Sequence, residues 1–189
     1  MAASAGASAS LSTMTSDEHL MLEFQQGSPE AFSELFERYR EPVYGFFRRR
    51  LNDSARAEEL AQETFLAVLR GVARYEPRAS FRTYLYAIAF RQVSGEWRRA
   101  KRDTPPVEHE PATQDDPGEA LWLRRAIAQL DPAHREVLLL REFEQLSYDE
   151  IAVLLRLPLN TVRSRLFRAR MELKALLSPE RKQSEGSRS

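Results

Sequence analysis

The sequence predicts an all-α protein of two small helical domains joined by a flexible linker. Three observations carry that prediction. Apolar residues recur at three- and four-residue spacing through residues 17–100 and again through 119–177, the period of a helix with one buried face. Strand-like alternation of apolar and polar residues is absent, and the β-branched residues are scattered. Between the two periodic blocks, residues 101–118 read KRDTPPVEHEPATQDDPG, where Pro, acids and polar residues dominate and no apolar period survives. Stretched out, that segment reaches roughly 60 Å, so the two domains need not touch. A length of 189 residues suits one large domain or two small ones, and the composition shift at 101–118 favours two.

Residues 1–16 are small and hydroxylated and are expected to form a disordered tail, with Met14 as an alternative start to Met1. No basic stretch followed by an apolar one marks a secretory signal. A first helix is expected over 17–26, stopped by Gly27. Ser28-Pro29-Glu30 then supplies an N-cap, a proline at the first helical position and an acid in the first turn. The helix it starts carries Phe32, Leu35, Phe36 and Tyr39 at helical spacing. Pro42 is expected to kink this helix or to begin a successor running to Leu51. Asn52-Asp53-Ser54 breaks the chain and caps a third helix over 55–70, ended by Gly71. After the loop 74–80, a fourth helix is expected from Phe81 to Arg99.

In the second block, Asp131-Pro132 is a helix start. Ser147-Tyr148-Asp149-Glu150 reads as a capping box, with the glutamate three residues after its serine. After a break at Arg156-Leu157-Pro158-Leu159, Asn160 is expected to cap a long last helix, and 178–189 form a polar tail.

Composition narrows the function. Hydrophobic residues make up 42% and charged residues 30%, which fits a core-forming chain and excludes collagen-like or wholly disordered ones. No run approaches 18 apolar residues, which excludes direct membrane insertion. Cysteine is absent, which excludes disulfides, thiol catalysis and cysteine zinc sites and fits a cytoplasmic location. His19, His109 and His134 share no helical spacing, so no metal is expected. The glycine-rich phosphate loops and the nucleophile elbow of hydrolases are also missing, so neither catalysis, a cofactor nor a small-molecule substrate is expected. Lys+Arg and Asp+Glu both number 28, so their sum says nothing of where the charges lie.

The C-terminal run LSYDEIAVLLRLPLNTVRSRLFRARMELKALL holds a short helix, a four-residue turn and a second helix, the pattern of a helix-turn-helix. Ile151, Leu154 and Leu155 give the first helix an apolar face, and Val162, Leu166, Ala169 and Leu173 give the second an apolar stripe. Val137, Leu138 and Leu140 of the preceding helix supply a third wall. On the far side of the second helix lie Ser164, Phe167, Arg168 and Met171, flanked by Arg163 and Lys174. Arginines suit phosphates and guanine edges, and an apolar side chain suits a thymine methyl. Asn160 and Thr161 sit at the helix N-terminus, where backbone N–H groups can meet a phosphate.

The third helix is apolar on two sides, with Leu60 and Ala67 on one and Phe65, Leu66 and Leu69 on the other. Burying Glu59, Gln62 and Glu63 between them is costly, so this helix is expected to share a face with a partner. The fourth helix interleaves Phe81, Tyr84, Tyr86, Phe90 and Trp97 with Arg82, Arg91, Arg98, Arg99, Lys101 and Arg102. Aromatic and basic residues mixed in this way suit an opened, stacked nucleic-acid strand. Leu85 and Ile88 are read as core.

Three stretches, DSARAEELAQETFLAVLRG, FRTYLYAIAFRQVSGEWRRAKR and LSYDEIAVLLRLPLNTVRSRLFRAR, resemble in order and spacing the group IV, extracytoplasmic-function sigma factors of bacterial RNA polymerase. The resemblance spans about residues 17–177. It implies a sigma domain 2 over 17–100, binding core RNA polymerase and opening the −10 element, and a sigma domain 4 over 119–177, reading the −35 element. Glu59, Gln62, Glu63 and Phe65, with Leu69, then fall where the family grips the polymerase clamp. The loop Tyr75–Phe81, including Ser80, falls where a flipped −10 base is captured, with Arg91, Trp97, Arg98 and Arg99 on the helix that follows. Asn160, Thr161, Arg163, Ser164, Phe167 and Arg168 fall on the −35 reading face. An anti-sigma factor is the further partner the resemblance implies.

The chain departs from the family at Tyr84, Arg91 and Gly95, where Trp, Asn and Asp are frequent, and at Arg156, where Gly is frequent. A changed −10 preference is expected from Arg91, and Gly95 is expected to mark a bend or the helix end. If the backbone at Arg156 is left-handed, it carries strain of roughly 1–2 kcal/mol. Two other functions share part of this pattern. A stand-alone helix-turn-helix regulator would have the same C-terminal half and would dimerise. A sigma-like decoy would bind an anti-sigma factor without directing transcription.

Overall fold

The computed structural model describes residues 15–51, 53–103 and 118–178. Nearly all of the expected N-terminal tail, residues 104–117 of the expected linker and residues 179–189 of the C-terminal tail lie outside the described residues, as do Met14, Asn52 and His109. Among the described residues there are eight α-helices and one short 3-10 turn, and no strand. The helices are α1 (Asp17–Gln25), α2 (Pro29–Arg48), α3 (Ser54–Gly71), α4 (Phe81–Asp103), α5 (Gly118–Ala128), α6 (Pro132–Glu142), α7 (Tyr148–Leu155) and α8 (Leu159–Leu177). The all-α class read from the periodicity is the one observed.

Local chemistry sets most helix starts. Ser16 Oγ accepts the His19 N–H at 3.2 Å, and Asp53 Oδ1 accepts the Arg56 N–H at 3.1 Å. Ser28 and Ser80 hold Ala31 N–H and Thr83 N–H in the same way, and Asp131 Oδ1 takes two N–H groups, from Ala133 and His134. Each such cap satisfies donors that the helix itself leaves open. At α7 the capping box closes in both directions: Glu150 N–H donates to Ser147 Oγ, and Ser147 N–H donates to Glu150 Oε2 at 2.7 Å. Gly27 ends the first connection at φ 104°, a geometry that favours glycine.

Four boundaries differ from the sequence expectation. Helix α2 runs unbroken through Pro42, because Tyr39, Val43, Phe46 and Phe47 around it are buried and hold the helix to the core. Packing here outweighs the lost N–H of one proline. Helix α8 starts at Leu159, so Asn160 is inside the first turn and does not cap it; its side chain faces Arg163 Nη1 at 3.5 Å. Helix α4 continues past Gly95 to Asp103, so Gly95 marks no helix end, and the helical span enters the expected linker. Helix α5 begins at Gly118, the last residue of that linker.

In the N-terminal half α1 and α3 pack on α2, and α4 closes against α3. Leu35, Val43, Phe46, Phe47, Leu60, Val68, Leu85 and Val93 fill this core. In the C-terminal half α8 lies across α5, α6 and α7. Val137, Leu138, Leu140, Ile151, Val162, Leu166 and Ala169 are buried there, and Leu173 is half-buried. Burial of each large side chain contributes about 1.5–3 kcal/mol.

The two halves touch. The end of α2 and the start of α4 meet α6, the turn after it and the start of α7. The Arg50 side chain, 1% exposed, donates to Glu136 Oε1 at 2.8 Å, to Glu144 Oε1 at 3.1 Å and to the Phe46 carbonyl at 3.0 Å. Desolvation opposes its charge, but the two carboxylates outweigh it and its pKa is raised. Arg49 donates to the same Glu144 oxygen at 3.0 Å and lies over the Phe143 ring at 4.5 Å.

Candidate nucleic-acid interface

Helices α7 and α8 form the expected helix-turn-helix. The turn closes with Arg156 at φ 53°, ψ 47°, so the left-handed condition attached to this residue is met. Its N–H reaches Val153 O at 3.2 Å and Leu157 N–H reaches Ala152 O at 2.9 Å, a closing pair that ends α7 and turns the chain into α8. The apolar stripe of α8 faces inward, and Arg163, Ser164, Phe167, Arg168, Met171 and Lys174 are exposed on the other side. Phe167 is 66% exposed and Met171 50%. Arg170 turns away from this face to pair with Glu142 of α6 at 2.8 Å. At the helix start, Asn160 is exposed, while Thr161 N–H turns back onto Pro158 O at 2.9 Å.

The loop between α3 and α4 is fixed from below by α1. Gln25 Nε2 donates to the carbonyls of Val72 and Tyr75 at 2.8 and 3.2 Å, and Glu18 Oε1 accepts the Phe81 N–H at 2.8 Å. Tyr75 and Phe81 are buried, packed edge-on at 6.5 Å. They were expected to present side chains to DNA; instead they are the floor of the loop. Tyr84 also meets the Tyr75 ring, and a Cβ on Gly71 would stand 2.6 Å from its hydroxyl. Burial pushes the Tyr75 hydroxyl up to about 12. The exposed loop residues are Arg74, Glu76, Pro77, Arg78 and Ala79, with Ser80 half-buried at the start of α4. Further along α4, Arg91, Arg98 and Arg99 are exposed, and Trp97 stands edge-on to Phe90 at 6.2 Å with about a third of its surface free.

On α3, Glu59, Gln62 and Glu63 are exposed, as the partner reading requires, and Leu69 is half-buried. Arg56 braces this row: it donates to Glu59 at 2.8 Å and to Glu96 of α4 at 2.8 Å, and lies 3.6 Å from Glu63. Phe65 is buried, with its ring edge-on to Phe36 at 4.8 Å. It was expected on the partner face. Helix α3 buries Ala57, Leu60, Ala61, Thr64, Phe65 and Val68, so the apolar surface left beside the acids comes from Leu66 and Phe36.

Comparison with known proteins decides the family. Residues 35–103 match the family model Sigma-70 region 2, and residues 120–173 match Sigma-70, region 4. The RNA polymerase sigma factor YlaC of Bacillus subtilis is 34% identical over 166 residues, covering 82% of this chain and 96% of that protein. The ECF RNA polymerase sigma-E factor of Haemophilus influenzae is 30% identical over 183 residues, covering 86% of this chain and 96% of that protein. The chain belongs to the extracytoplasmic-function sigma factors. Among solved structures, CnrH in complex with the cytosolic domain of CnrY is 26% identical, with a TM-score of 0.66 over 85% of this chain and 96% of that one.

In this sigma factor, region 2 supplies α2–α4 and region 4 supplies α5–α8. Sequence reading found the basic face of α8 and the acidic row of α3 because both follow helical spacing. It passed over Arg74 and Arg78, which flank the loop without any period, and Phe36, which belongs by spacing to the core of α2. Among the described residues no group of histidines and acids is placed to hold a metal, and no helix is long and apolar enough to cross a membrane.

Proposed function

We propose that the chain binds core RNA polymerase through the exposed acidic and apolar face of α3 and places it at promoters. Region 4, as a domain over 119–177, reads the −35 duplex with Arg163, Ser164, Phe167 and Arg168, assisted by Asn160 and Thr161. Region 2, as a domain over 17–100, holds the opened −10 strand at the 75–81 loop and along Arg91, Trp97, Arg98 and Arg99 of α4. Tyr75 and Phe81 act by shaping that loop. The observation that carries the reading is a solvent-facing Phe167 between arginines on α8, in a chain that also carries the α3 face. A bidentate arginine–guanine contact contributes about 1–3 kcal/mol of discrimination.

The protein supplies placement and the polymerase supplies the chemistry, so no catalysis is assigned to this chain. It works in the cytoplasm, where the polymerase is. An anti-sigma factor covering these faces is its second protein partner; CnrH, the structural relative, was solved bound to another protein's cytosolic domain. Run-off transcription from a genomic promoter library, with core polymerase and with or without the chain, tests the reading. New transcripts sharing a two-part upstream motif are expected. Absence of transcripts with core binding intact would leave a decoy, and absence of core binding would leave a stand-alone regulator.

A further inference from the structure

We propose that Arg56 is a positioning residue for promoter placement. One guanidinium sets the mutual geometry of the acidic row on α3 and the basic end of α4, and it acts through Glu59, Glu63 and Glu96 rather than on polymerase or DNA. This role rests on the assignment of the α3 row to core polymerase and of Trp97, Arg98 and Arg99 to the −10 strand. The residue is fixed at its root, since the Arg56 N–H donates to Asp53 Oδ1 at the helix cap. Its two terminal nitrogens then serve different helices. Nη1 donates to Glu59 Oε2 at 2.8 Å and lies 3.6 Å from Glu63 Oε1. Nη2 donates to Glu96 Oε1 of α4 at 2.8 Å.

Charges alternate along this path. Glu96 Oε1 also accepts from Arg99 Nη1 at 2.8 Å, so Glu59, Arg56, Glu96 and Arg99 form an unbroken line from one face to the other. The side chains of Arg56 and Glu96 are 28% and 20% exposed, while those of Glu59 and Glu63 stand open at 62% and 49%, so the acids face outward and the arginine sits behind them. Among the described residues no other cation pairs with Glu59 or Glu63. Those two glutamates are four apart on one helix, where like charges repel, and the guanidinium beside them offsets the repulsion. The same guanidinium holds the Glu96 carboxyl below the usual carboxylate range, against the effect of burial.

The fold of region 2 does not depend on this residue. Leu60, Val68, Leu85 and Val93 bury the facing sides of α3 and α4, and buried Thr64 donates to Gln92 Oε1 at 2.7 Å between the same two helices. A part-exposed ion pair adds little to that stability. What Arg56 fixes is finer: where the row of acids stands relative to the last turns of α4. Lysine cannot do the same. A guanidinium is a rigid planar fork that serves two carboxylates at once, whereas an ammonium is a single point charge on a flexible stem.

Two affinities of the full chain test this. One is for core polymerase, by calorimetry. The other, at saturating core, is for a pool of forked duplexes with a randomised single-stranded arm, taken above the binding by core alone. Arg56→Ala is expected to weaken both, each by about five- to tenfold, as for loss of charge-assisted hydrogen bonds. Arg56→Lys is expected to recover most of the core affinity and little of the fork affinity. Glu96→Gln is expected to keep the core affinity within about twofold and to lower the fork affinity by about fivefold. Adding Arg56→Lys to it is expected to lower the fork affinity little further, because the two residues act as one unit. Melting temperatures are expected to stay within a few degrees of wild type. Unchanged fork affinity in both Arg56→Lys and Glu96→Gln overturns the positioning role, and so does a loss that tracks a lowered melting temperature. A wild-type chain that binds neither core nor the fork overturns the assignment of the two faces, and the role with it.

Discussion

Arg156 shows how one side chain sits against its backbone. Its left-handed geometry costs an L-residue about 1–2 kcal/mol, and the closing hydrogen bonds from Arg156 and Leu157 hold it there. Arg156→Gly is expected to raise stability by about 0.5–1 kcal/mol, read as a higher urea midpoint at unchanged slope. Gly71 is the opposite case. A methyl group there meets the Tyr84 hydroxyl at 2.6 Å, so Gly71→Ala is expected to cost about 1–3 kcal/mol. Adding Tyr84→Phe should recover part of that loss in the same denaturation experiment. The strain at Arg156 was legible because the turn sits between two patterned helices. The burial of Arg50 and Glu144 was not, since their pairing joins residues 94 positions apart and isolated charges in a sequence read as solvent-facing.

At the scale of elements, the legible features were the local ones. A cap reaches three residues along the chain, and Ser28, Asp53, Asp131 and Ser147 each start the helix their spacing predicts. The illegible features were those set by distant packing. Pro42 looks like a break until Phe46 and Phe47 are seen buried one turn on. Phe65 looks like a partner contact until Phe36 covers it. Gly95 looks like a helix end, yet α4 passes through it with open space where a side chain would stand. Gly95→Ala is therefore expected to stabilise α4 by up to about 1 kcal/mol, seen as a raised melting temperature. A lowered one would mean that this helix needs to bend at that point.

For the whole molecule, the two-block division was legible in the shift of composition, and the contact between the blocks was not. That contact has a pH signature. Desolvation pushes the Glu150 carboxyl up, but hydrogen bonds from Ser80, Thr83 and Ser147 outweigh it and bring the pKa from 4.5 down to about 2. Its contribution is thus complete above the unfolded value and lost as pH falls from about 4.5 toward about 2. The melting temperature is expected to drop through that window, with the drop smaller in Glu150→Gln. Equal slopes in the two proteins would show that the carboxylate does not stabilise the contact between the halves.

The fourteen positions between Asp103 and Gly118 make the meeting of the halves a matter of effective concentration. Joined by so short a stretch, Glu136 and Glu144 meet Arg49 and Arg50 at an effective concentration of roughly millimolar, so even a feeble mutual affinity keeps the halves in contact. Lengthening the tether dilutes the neighbour without touching a single contact residue. The spacer's length is therefore a dial on how firmly the halves hold together, one that can drift while every contact stays the same.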